Sequence, residues 1–424
     1  MKKNILVFPC GSEIGLDIYH LVKYSTHFHL VGASSVDDHG KFLYEDYIPD
    51  VPFINDDSFL PYLRTIIKEH QIDAIYPTMD AVITVLKENE SYIGCKVIAS
   101  PLETTRLCLS KKNTYNTLKD IVPTPTIFHS PGSVDSYPVF VKPDIGYGSR
   151  GTKIVYNKDA LDNCLKEQDG LLILEYLPGE EYTVDCFTDS KGDLLFCGAR
   201  IRARIKSGIS VNTTIVKNQE PFYELARKIN NRISFRGAWF YQVKRRKDGT
   251  LCLMEIASRL GGSSLLFKAK GVNFALLSLF DAFGYEVSIL SNDYSVELDR
   301  ALGSRYKVDL VFDSVYCDYD DCLILEKTKV NTELVSFLYQ CFNQGKQLFL
   351  LTRHIGDLAA ELKFFRLEQL FDRIIQLSID EDKAAFITTS NPIFIDDSFA
   401  ERMNIKKKLN IPVFEPAMID IFIK

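Results

Sequence analysis

The sequence predicts a multidomain chain that combines parallel α/β units with an α+β unit of antiparallel sheet. Three observations predict this fold class. The length of 424 residues exceeds what one hydrophobic core usually supports. Both ends of the chain alternate apolar, strand-like runs with helical patterns, which is typical of parallel sheets with crossover helices. The region between them carries hairpin-like turns, which favours antiparallel strands.

Composition and charge exclude several classes of protein. Hydrophobic residues make up 46% and charged residues 25% of the chain, as in a folded globular protein. The net charge of -6 provides no general basic surface for nucleic acid. The ten cysteines and seven histidines show no metal-ligand spacing, and Asp281 interrupts the most apolar helical stretch. We therefore predict a cytoplasmic protein with neither nucleic-acid nor membrane partners.

The N-terminal segment, residues 1–105, contains the strand-like runs NILVFPC, FHLVGAS and DAIYPTM with amphipathic stretches between them. This alternation predicts a parallel α/β domain. Gly11 and Gly15 follow the first strand with the spacing GxxxG, which lacks the full dinucleotide fingerprint. We interpret them as a tight strand-to-helix turn.

Residues 106–300 contain two features that suit a nucleotide. The stretch VFVKPDIGYGSRGTKIV places Lys142 on a strand before a glycine-rich turn, where backbone N–H groups could approach phosphate oxygens. Gln242 and Glu255 fall on two later strands joined by a turn, and their oxygen atoms suit Mg²⁺. A plain turn and an ordinary strand glutamate are the alternatives at this point.

Together these segments resemble the ATP-grasp superfamily, of the carbamoyl-phosphate-synthase-like type, with the N-terminal segment as its pre-ATP-grasp domain. The resemblance implies ATP and Mg²⁺ as cofactors, and a reaction in which a phosphorylated carboxylate is attacked by an amine. It implies Mg²⁺ on Gln242 and Glu255 and the reacting phosphate at Arg259. The implied nucleotide contacts are Lys112 and Lys142 at the phosphates, Gly148 and Ser149 over them, Glu175 and Leu177 at the adenine and Glu181 at the ribose.

One position departs from the ATP-grasp pattern. Ala257 stands where the family usually has an asparagine, two residues after the metal-binding glutamate. Related ATP-grasp ligases tolerate this alanine. We therefore expect weaker or water-completed metal coordination rather than loss of the site.

Residues 306–424 predict a further compact α/β domain, and residues 291–305 before it are interpreted as a linker. The stretch SVYCDYDD ends a strand-like run with Asp318 and Asp320. These two side chains point to the same side if the strand continues, because strand side chains alternate. Two such carboxylates need a cation or a shared proton, whereas a solvated acidic turn is the alternative.

Three further strand ends carry polar residues: LFLLTRH presents Thr352, SIDEDKAAFI presents Lys383, and IFIDDSFAER presents Asp396 and Asp397. Their order and spacing give residues 306–424 a resemblance to the haloacid dehalogenase superfamily. This resemblance implies a Rossmann-like domain in which Asp318 attacks a phosphorylated small molecule and Asp320 is the general acid and base. It implies that Thr352 and Lys383 bind the phosphoryl oxygens. The Mg²⁺ ligands that it implies are Asp318, Asp320, Asp396 and Asp397.

The resemblance is imperfect after the second aspartate. Asp321 and Cys322 stand where the family usually has glycine and threonine. We expect a stiffer or differently shaped loop at this place, with the phosphatase still competent.

The two resemblances imply a bifunctional enzyme, a carboxylate–amine ligase coupled to a phosphatase that forms an aspartyl phosphate. Its partners would be a small carboxylate, an amine and a phosphorylated small molecule. Two alternatives stay open: an ATP-grasp kinase opposed by the phosphatase, and a ligase with a non-catalytic C-terminal docking module. No motif identifies the substrates.

Overall fold

The computed structural model describes residues 2–146, 148, 150–206, 208–301 and 304–423. Three units follow one another along this part of the chain, each built on its own sheet or pair of sheets. None of the helices in these ranges is long and apolar enough to cross a lipid bilayer.

The N-terminal unit is a parallel sheet of five strands with the order β3-β2-β1-β4-β5. The central strand explains why the sheet is covered on both faces. Ile5 and Val7 enter one hydrophobic core and Leu6 and Phe8 enter another, because successive strand side chains point to opposite faces. The elements are β1 (Lys3–Phe8), α1 (Glu13–Val22), β2 (Phe28–Ala33), β3 (Asp46–Ile48), α2 (Phe59–Glu69), β4 (Ala74–Pro77), α3 (Asp80–Glu88), α4 (Glu90–Ile93) and β5 (Lys96–Val97).

The middle unit begins with two helices and a small antiparallel sheet of four strands. The strand order is β6-β9-β7-β8. The elements are α5 (Leu102–Leu109), α6 (Lys111–Leu118), β6 (Ile127–Phe128), β7 (Val139–Pro143), β8 (Lys153–Val155), α7 (Lys158–Glu167) and β9 (Leu171–Glu175).

A larger antiparallel sheet of seven strands completes the middle unit, with the order β14-β13-β10-β11-β12-β15-β16. Its elements are β10 (Glu181–Thr188), β11 (Leu194–Lys206), β12 (Ile209–Ile215), α8 (Glu220–Arg232), β13 (Gly237–Arg245), β14 (Leu251–Ala257), α9 (Leu265–Lys268), α10 (Phe274–Ala282), β15 (Val296–Arg300) and β16 (Ser304–Val308).

The structure contradicts the linker predicted at residues 291–305. β15 pairs with β12, and β16 pairs with β15, so both strands extend the seven-stranded sheet. The pairing partner of β15 lies more than 80 residues earlier in the chain, which local sequence pattern does not reveal.

The C-terminal unit is a parallel sheet with the order β21-β20-β17-β22-β23, flanked by helices and a small hairpin. This mixed architecture confirms the α/β and α+β fold class at the level of a multidomain protein. The elements are β17 (Ser314–Cys317), the hairpin β18 (Ile324–Leu325) and β19 (Lys329–Val330), α11 (Thr332–Asn343), β20 (Gln347–Thr352), α12 (Leu358–Phe364), β21 (Arg373–Gln376), β22 (Pro392–Ile395), α13 (Phe399–Leu409) and β23 (Val413–Phe414).

A continuous hydrophobic core joins the three units. It includes Phe28 from the N-terminal unit, Phe274 from the middle unit and Phe337 from the C-terminal unit. A buried amide also connects them, because Asn273 Nδ2 donates to the carbonyl oxygen of Leu21 at 2.7 Å and contacts Glu415. The units therefore pack directly against one another.

Candidate functional site

One face of the seven-stranded sheet, the polar face, carries a row of polar side chains. Gln242 lies opposite Thr183 on one neighbouring strand and opposite Glu255 on the other, so these three side chains form a row on one face. The intervening residues Val184 and Tyr241 point the other way and are buried in the core under α8. The predicted Mg²⁺ ligands Gln242 and Glu255 are thus brought together on the polar part of this face, whose other end, at Phe187 and Ala238, belongs to a hydrophobic core.

Lys142 reaches this sheet from β7 of the smaller sheet. It is 6% exposed, and its Nζ donates to the carbonyl oxygen of Met254 at 2.9 Å. The ring of Tyr115 lies beneath the ammonium, 5.4 Å from centroid to Nζ. Burial lowers the pKa of Lys142 to about 8, and the nearby Glu255 opposes this effect. The ammonium is therefore poorly solvated until an anion joins it.

Lys111, rather than the predicted Lys112, contacts the glycine-rich loop. The Lys111 Nζ donates to the carbonyl oxygens of Asp144 at 3.2 Å and Gly146 at 3.1 Å. Lys112 is exposed and is held only through its backbone N–H, which donates to the Asp144 carboxylate at 2.7 Å. The sequence motif did not select Lys111. Its place as the first residue of α6, directly after the N-cap Ser110, could have indicated that it lies near the loop.

The loop after Lys142 is only partly described. Gly148 has a φ of +63°, in the left-handed region that favours glycine. The predicted phosphate contact Ser149 lies outside the described residues.

The carboxylates predicted at the adenine and ribose are engaged in ion pairs. Arg246 binds Glu175 through two nitrogens, at 2.8 and 2.9 Å, which ties the two sheets of the middle unit together. Glu181 lies 2.7 Å from Arg202. Leu177 is buried two residues beyond β9. The carboxylates of Glu175 and Glu181 thus face arginines, and the backbone N–H of Glu175 donates to the carbonyl oxygen of Thr126 at 3.0 Å.

Arg259 links the middle unit to the carboxyl edge of the N-terminal sheet. Its Nε lies 2.9 Å from the carboxylate of Asp80, the first residue of α3, and its guanidinium stacks over Phe240 at 5.3 Å. Ala257 lies opposite Phe240 on the same face as Glu255. The missing asparagine would thus share the face of the predicted metal site.

The C-terminal unit gathers three carboxylates and a lysine at one edge of its sheet. Cys317 and Ile395 are paired on adjacent parallel strands, so Asp318 and Asp396 leave the sheet side by side. The Lys383 Nζ lies 3.0 Å from Asp318 Oδ1 and 2.7 Å from Asp396 Oδ2. All three side chains are buried, and such charges require close pairing.

Asp397 completes a group with the geometry of a cation site. One carboxylate oxygen each from Asp318, Asp396 and Asp397 lies within 4.8 Å of the others, and carboxylate oxygens suit Mg²⁺. Burial, followed by the Asp318 charge, raises the pKa of Asp396 and raises that of Asp397 to about 6. Burial lowers the pKa of Lys383, but the carboxylates of Asp396 and Asp318 outweigh this effect and raise it.

Thr352 and Asp320 lie next to this group without joining it. Thr352 ends β20, which flanks β17 on the other side. The Asp320 side chain is 43% exposed and contacts Nδ1 of His354 at 3.0 Å. Three of the four predicted Mg²⁺ ligands are thus brought together by their side chains, and Asp320 is directed elsewhere.

The loop that departs from the family pattern keeps the backbone shape that glycine would adopt. Asp321 has a φ of +52°, which aspartate tolerates better than most residues. Its carboxylate accepts a hydrogen bond from the backbone N–H of Glu326 at 3.0 Å. Cys322 is fully buried, with Sγ 3.7 Å from the carbonyl oxygen of Ile395.

A cavity of about 490 Å³ lies at the junction of the three units. Its walls include Leu21 of α1, Phe280 of α10 and Met418 near the C-terminus. Of the charged groups in the two sites above, only Asp397 borders it. The cavity therefore lies apart from Lys142 and Glu255 and borders the C-terminal carboxylate group at Asp397.

Comparison with known proteins connects the middle unit to a family. Residues 167–299 match the family model described as ATP-grasp in the biosynthetic pathway with Ter operon. A D-alanine–D-alanine ligase of Thermotoga petrophila is 28% identical over 109 residues, which are 24% of this chain and 36% of that protein. The chain thus spans about a third of this relative's length.

Solved structures share the fold over most of the chain. The biotin carboxylase domain of Hydrogenobacter thermophilus 2-oxoglutarate carboxylase, solved with MgADP, superposes with a TM-score of 0.60 at 17% identity, over 71% of this chain and 74% of that one. An L-amino acid ligase from Bacillus licheniformis superposes with a TM-score of 0.57 at 17% identity, over 70% and 79%. Residues 167–299 thus resemble the ATP-grasp family of that model, and most of the chain shares the fold of these solved structures.

Proposed function

We propose that the chain is an ATP- and Mg²⁺-dependent carboxylate–amine ligase that acts through an acyl phosphate. One observation carries the proposal: the buried ammonium of Lys142 lies beside Glu255, which shares the polar face of the large sheet with Gln242. An amide oxygen and a carboxylate suit a hard cation, and a poorly solvated ammonium suits phosphate. Two proteins of similar sequence or fold are named as ligases, one of D-alanine and one of L-amino acids.

In this proposal the chain's residues bind and orient the reactants. Gln242 and Glu255 hold Mg²⁺, which neutralises charge on the nucleotide phosphates. Lys142 contacts the phosphates, joined by Lys111 from the edge of the glycine-rich loop, and Arg259 faces the transferred group. Gly148 and Ser149 at the phosphates, Glu175 and Leu177 at the adenine, and Glu181 at the ribose stay part of the proposal. Lys111 takes the place that the sequence predicted for Lys112.

The reaction proceeds in two displacements. A substrate carboxylate oxygen attacks the γ-phosphorus of ATP, and the bond from that phosphorus to the β–γ bridging oxygen breaks to release ADP. The amine nitrogen then attacks the acyl carbon. The bond from that carbon to the phosphate oxygen breaks, inorganic phosphate leaves with the electron pair, and the nitrogen loses a proton. The protein contributes alignment and charge stabilisation rather than a covalent intermediate.

The test measures ADP release with pooled small carboxylates and amines, and hydroxamate formation when hydroxylamine replaces the amine. We expect both with the unaltered chain and neither with Glu255→Ala. Glu224→Ala, which removes a carboxylate paired with Arg227 on the surface of α8, is the matched control and should behave as the unaltered chain. ADP release without hydroxamate would indicate the kinase alternative instead.

A second candidate activity comes from the C-terminal unit, and we propose that it is a Mg²⁺-dependent phosphatase. The supporting observation is Lys383 between Asp318 and Asp396, with Thr352 on the adjacent strand end. The match to the ATP-grasp family model ends before this unit, so the proposal depends on the side-chain geometry and on the motif resemblance.

The phosphatase step also balances as two displacements. An Asp318 carboxylate oxygen attacks phosphorus, the ester P–O bond breaks, and Asp320 gives its proton to the leaving alcohol oxygen. Asp320 then takes a proton from water, whose oxygen attacks the aspartyl phosphate. The P–O bond to Asp318 breaks, which releases phosphate and restores the carboxylate. Asp318, Asp396 and Asp397 would hold Mg²⁺, which would neutralise charge on the phosphoryl group, and Thr352 and Lys383 would contact the phosphoryl oxygens.

Two substitutions separate the roles of the two aspartates. Asp318→Asn should abolish turnover of phosphomonoesters and leave no phosphoenzyme, because an amide is a far poorer nucleophile. Asp320→Asn should accumulate a phosphoenzyme from p-nitrophenyl phosphate, whose leaving group hardly needs a proton. Mass spectrometry locates the adduct. A folded, Mg²⁺-loaded chain without Asp318-dependent turnover would favour the docking-module alternative.

A further inference from the structure

Asp320 is the end of a chain of contacts that the proposed phosphatase does not account for. Its two carboxylate oxygens lie 3.1 and 3.0 Å from His354 Nδ1. The other ring nitrogen of His354, Nε2, lies 3.2 Å from Glu361 on α12. Tyr319, between the two aspartates, donates its hydroxyl to the same glutamate at 2.8 Å.

The imidazole is fixed on several sides. Its side chain is 8% exposed, and the ring of Tyr319 packs edge-on against it at 4.8 Å between centroids. The backbone N–H of His354 donates to Thr352 Oγ1 at 3.1 Å, and its carbonyl oxygen accepts from Gln376 at 3.0 Å. An imidazole held in this way can fix the orientation of an exposed carboxylate that it contacts.

Asp320 is such a carboxylate, because its side chain is 43% exposed and both of its oxygens contact His354 Nδ1. A general acid must lie within hydrogen-bond reach of the leaving oxygen when the bond breaks. An exposed carboxylate that is free to rotate would spend much of its time elsewhere. The contact with Nδ1 restricts this rotation.

We propose that His354, supported by Glu361, is a positioning residue that orients Asp320 for proton transfer to the leaving group. The inference rests on the proposed phosphatase and adds to it a residue that no motif selected. His354 touches neither substrate nor metal in this proposal. Its effect on the reaction passes through Asp320 alone, so the effect depends on how much the leaving group needs a proton.

The experiment compares two substrates of the full-length chain with Mg²⁺: an alkyl phosphate, whose leaving alkoxide requires protonation, and p-nitrophenyl phosphate, which hardly requires it. For His354→Ala we expect kcat/KM to fall at least about tenfold with the alkyl ester. With p-nitrophenyl phosphate kcat/KM should change less than about threefold, while kcat falls and a phosphoenzyme accumulates, because Asp320 also activates the water.

Two further variants keep the result interpretable if His354→Ala folds poorly. His354→Asn keeps a donor near Asp320 and should recover part of the alkyl-ester rate. Arg353→Ala changes the same loop, where Arg353 pairs with Glu401 at 2.5 Å, without touching Asp320. It should leave the ratio of the two substrates unchanged.

The outcomes distinguish the inference from the activity that it assumes. Equal losses with both substrates in His354→Ala, or no recovery in His354→Asn, would assign His354 a purely structural role and overturn the inference. Absence of any turnover that depends on Asp318 would overturn the proposed phosphatase, and the inference with it. A loss of kcat/KM that is confined to the alkyl ester supports both the inference and the proposed phosphatase.

Discussion

Lys142 shows how burial prepares a single side chain for a ligand. Its ammonium is removed from water by the second sheet and receives one carbonyl acceptor, so the pKa falls to about 8 from an ordinary value near 10.5. The unfolded chain binds more protons than the folded one between these pH values, so this group destabilises the fold at low pH and does so less as the pH rises toward 10.5. A bound polyphosphate would reverse the shift.

This shift predicts proton uptake when nucleotide binds. Near pH 8 about half of the free chain should carry a neutral Lys142, and binding of MgATP should return it to the charged form. Calorimetry in buffers of different ionisation enthalpy should detect an uptake of roughly half a proton at pH 8 and almost none at pH 6. Lys142→Met should remove the uptake. An equal uptake in Lys142→Met would place the titrating group elsewhere.

The adjacent lysines of α6 should differ in their effect on nucleotide binding. The Lys111 side chain contacts the glycine-rich loop through Nζ, whereas Lys112 is exposed. Lys111→Ala should raise the KM for ATP about tenfold, the value of one charged hydrogen bond, and Lys112→Ala should change it less than about twofold. The reverse order in steady-state kinetics would support the prediction made from sequence.

At the scale of elements, the alternation of the large sheet determines where the polar groups collect. A buried pair lies on the polar face, where Arg200 Nε donates to Asp185 Oδ2 at 2.6 Å and both side chains are at most 3% exposed. Gly261 in the segment after β14 closes over them. A Cβ atom at Gly261 would lie 2.6 Å from Asp185 Oδ1 and 3.2 Å from Arg200 Nη2.

Gly261→Ala should therefore destabilise the middle unit. The added methyl must displace one member of the buried ion pair, and overpacking of this kind costs about 1–3 kcal/mol. Urea unfolding followed by circular dichroism measures the change. Gly132→Ala is the control, because its nearest neighbour would be 3.8 Å away, and its effect should stay within about 0.5 kcal/mol. Similar effects of both substitutions would contradict the packing argument.

At the scale of the whole molecule, ion pairs as well as apolar side chains join the units. Lys268 of α9 is 1% exposed, and its Nζ lies 2.8 Å from Asp420 near the C-terminus. Lys23 after α1 pairs with Glu333 of α11 at 2.5 Å. A unit that separated from its neighbours would leave these charges and the common core without partners.

We therefore expect the three units to unfold together in calorimetry, without a separate transition for the C-terminal unit. Asp420→Ala leaves Lys268 buried and unpaired and should lower the free energy of unfolding by about 1–3 kcal/mol. Glu286→Ala removes a pair between exposed side chains, Lys191 and Glu286, and should change it by less than about 1 kcal/mol. Well-separated transitions would show that the units are energetically independent.

Local sequence pattern predicted the type of sheet in each unit and the residues that motifs select. Alternating apolar residues predicted parallel sheets at both ends and the antiparallel region between them. Lys142 and Glu255 lie within strands and Asp318 directly follows one, and all three were selected because a motif fixes their place relative to the strand. Asp318 and Asp396 meet for the same reason, since adjacent parallel strands end at one edge.

Which side chains contact one another depends on the packing of elements that are distant in the sequence. Lys111 and Lys112 have the same chemistry and adjacent positions, so only the direction of each side chain on α6 separates them. His354 carries no motif, and its contact with Asp320 bridges 34 residues of sequence. β15 formed because β12 supplied hydrogen-bonding partners, which no periodicity within residues 291–305 encodes. Local pattern specifies what an element is, whereas the packing of distant elements specifies what it contacts.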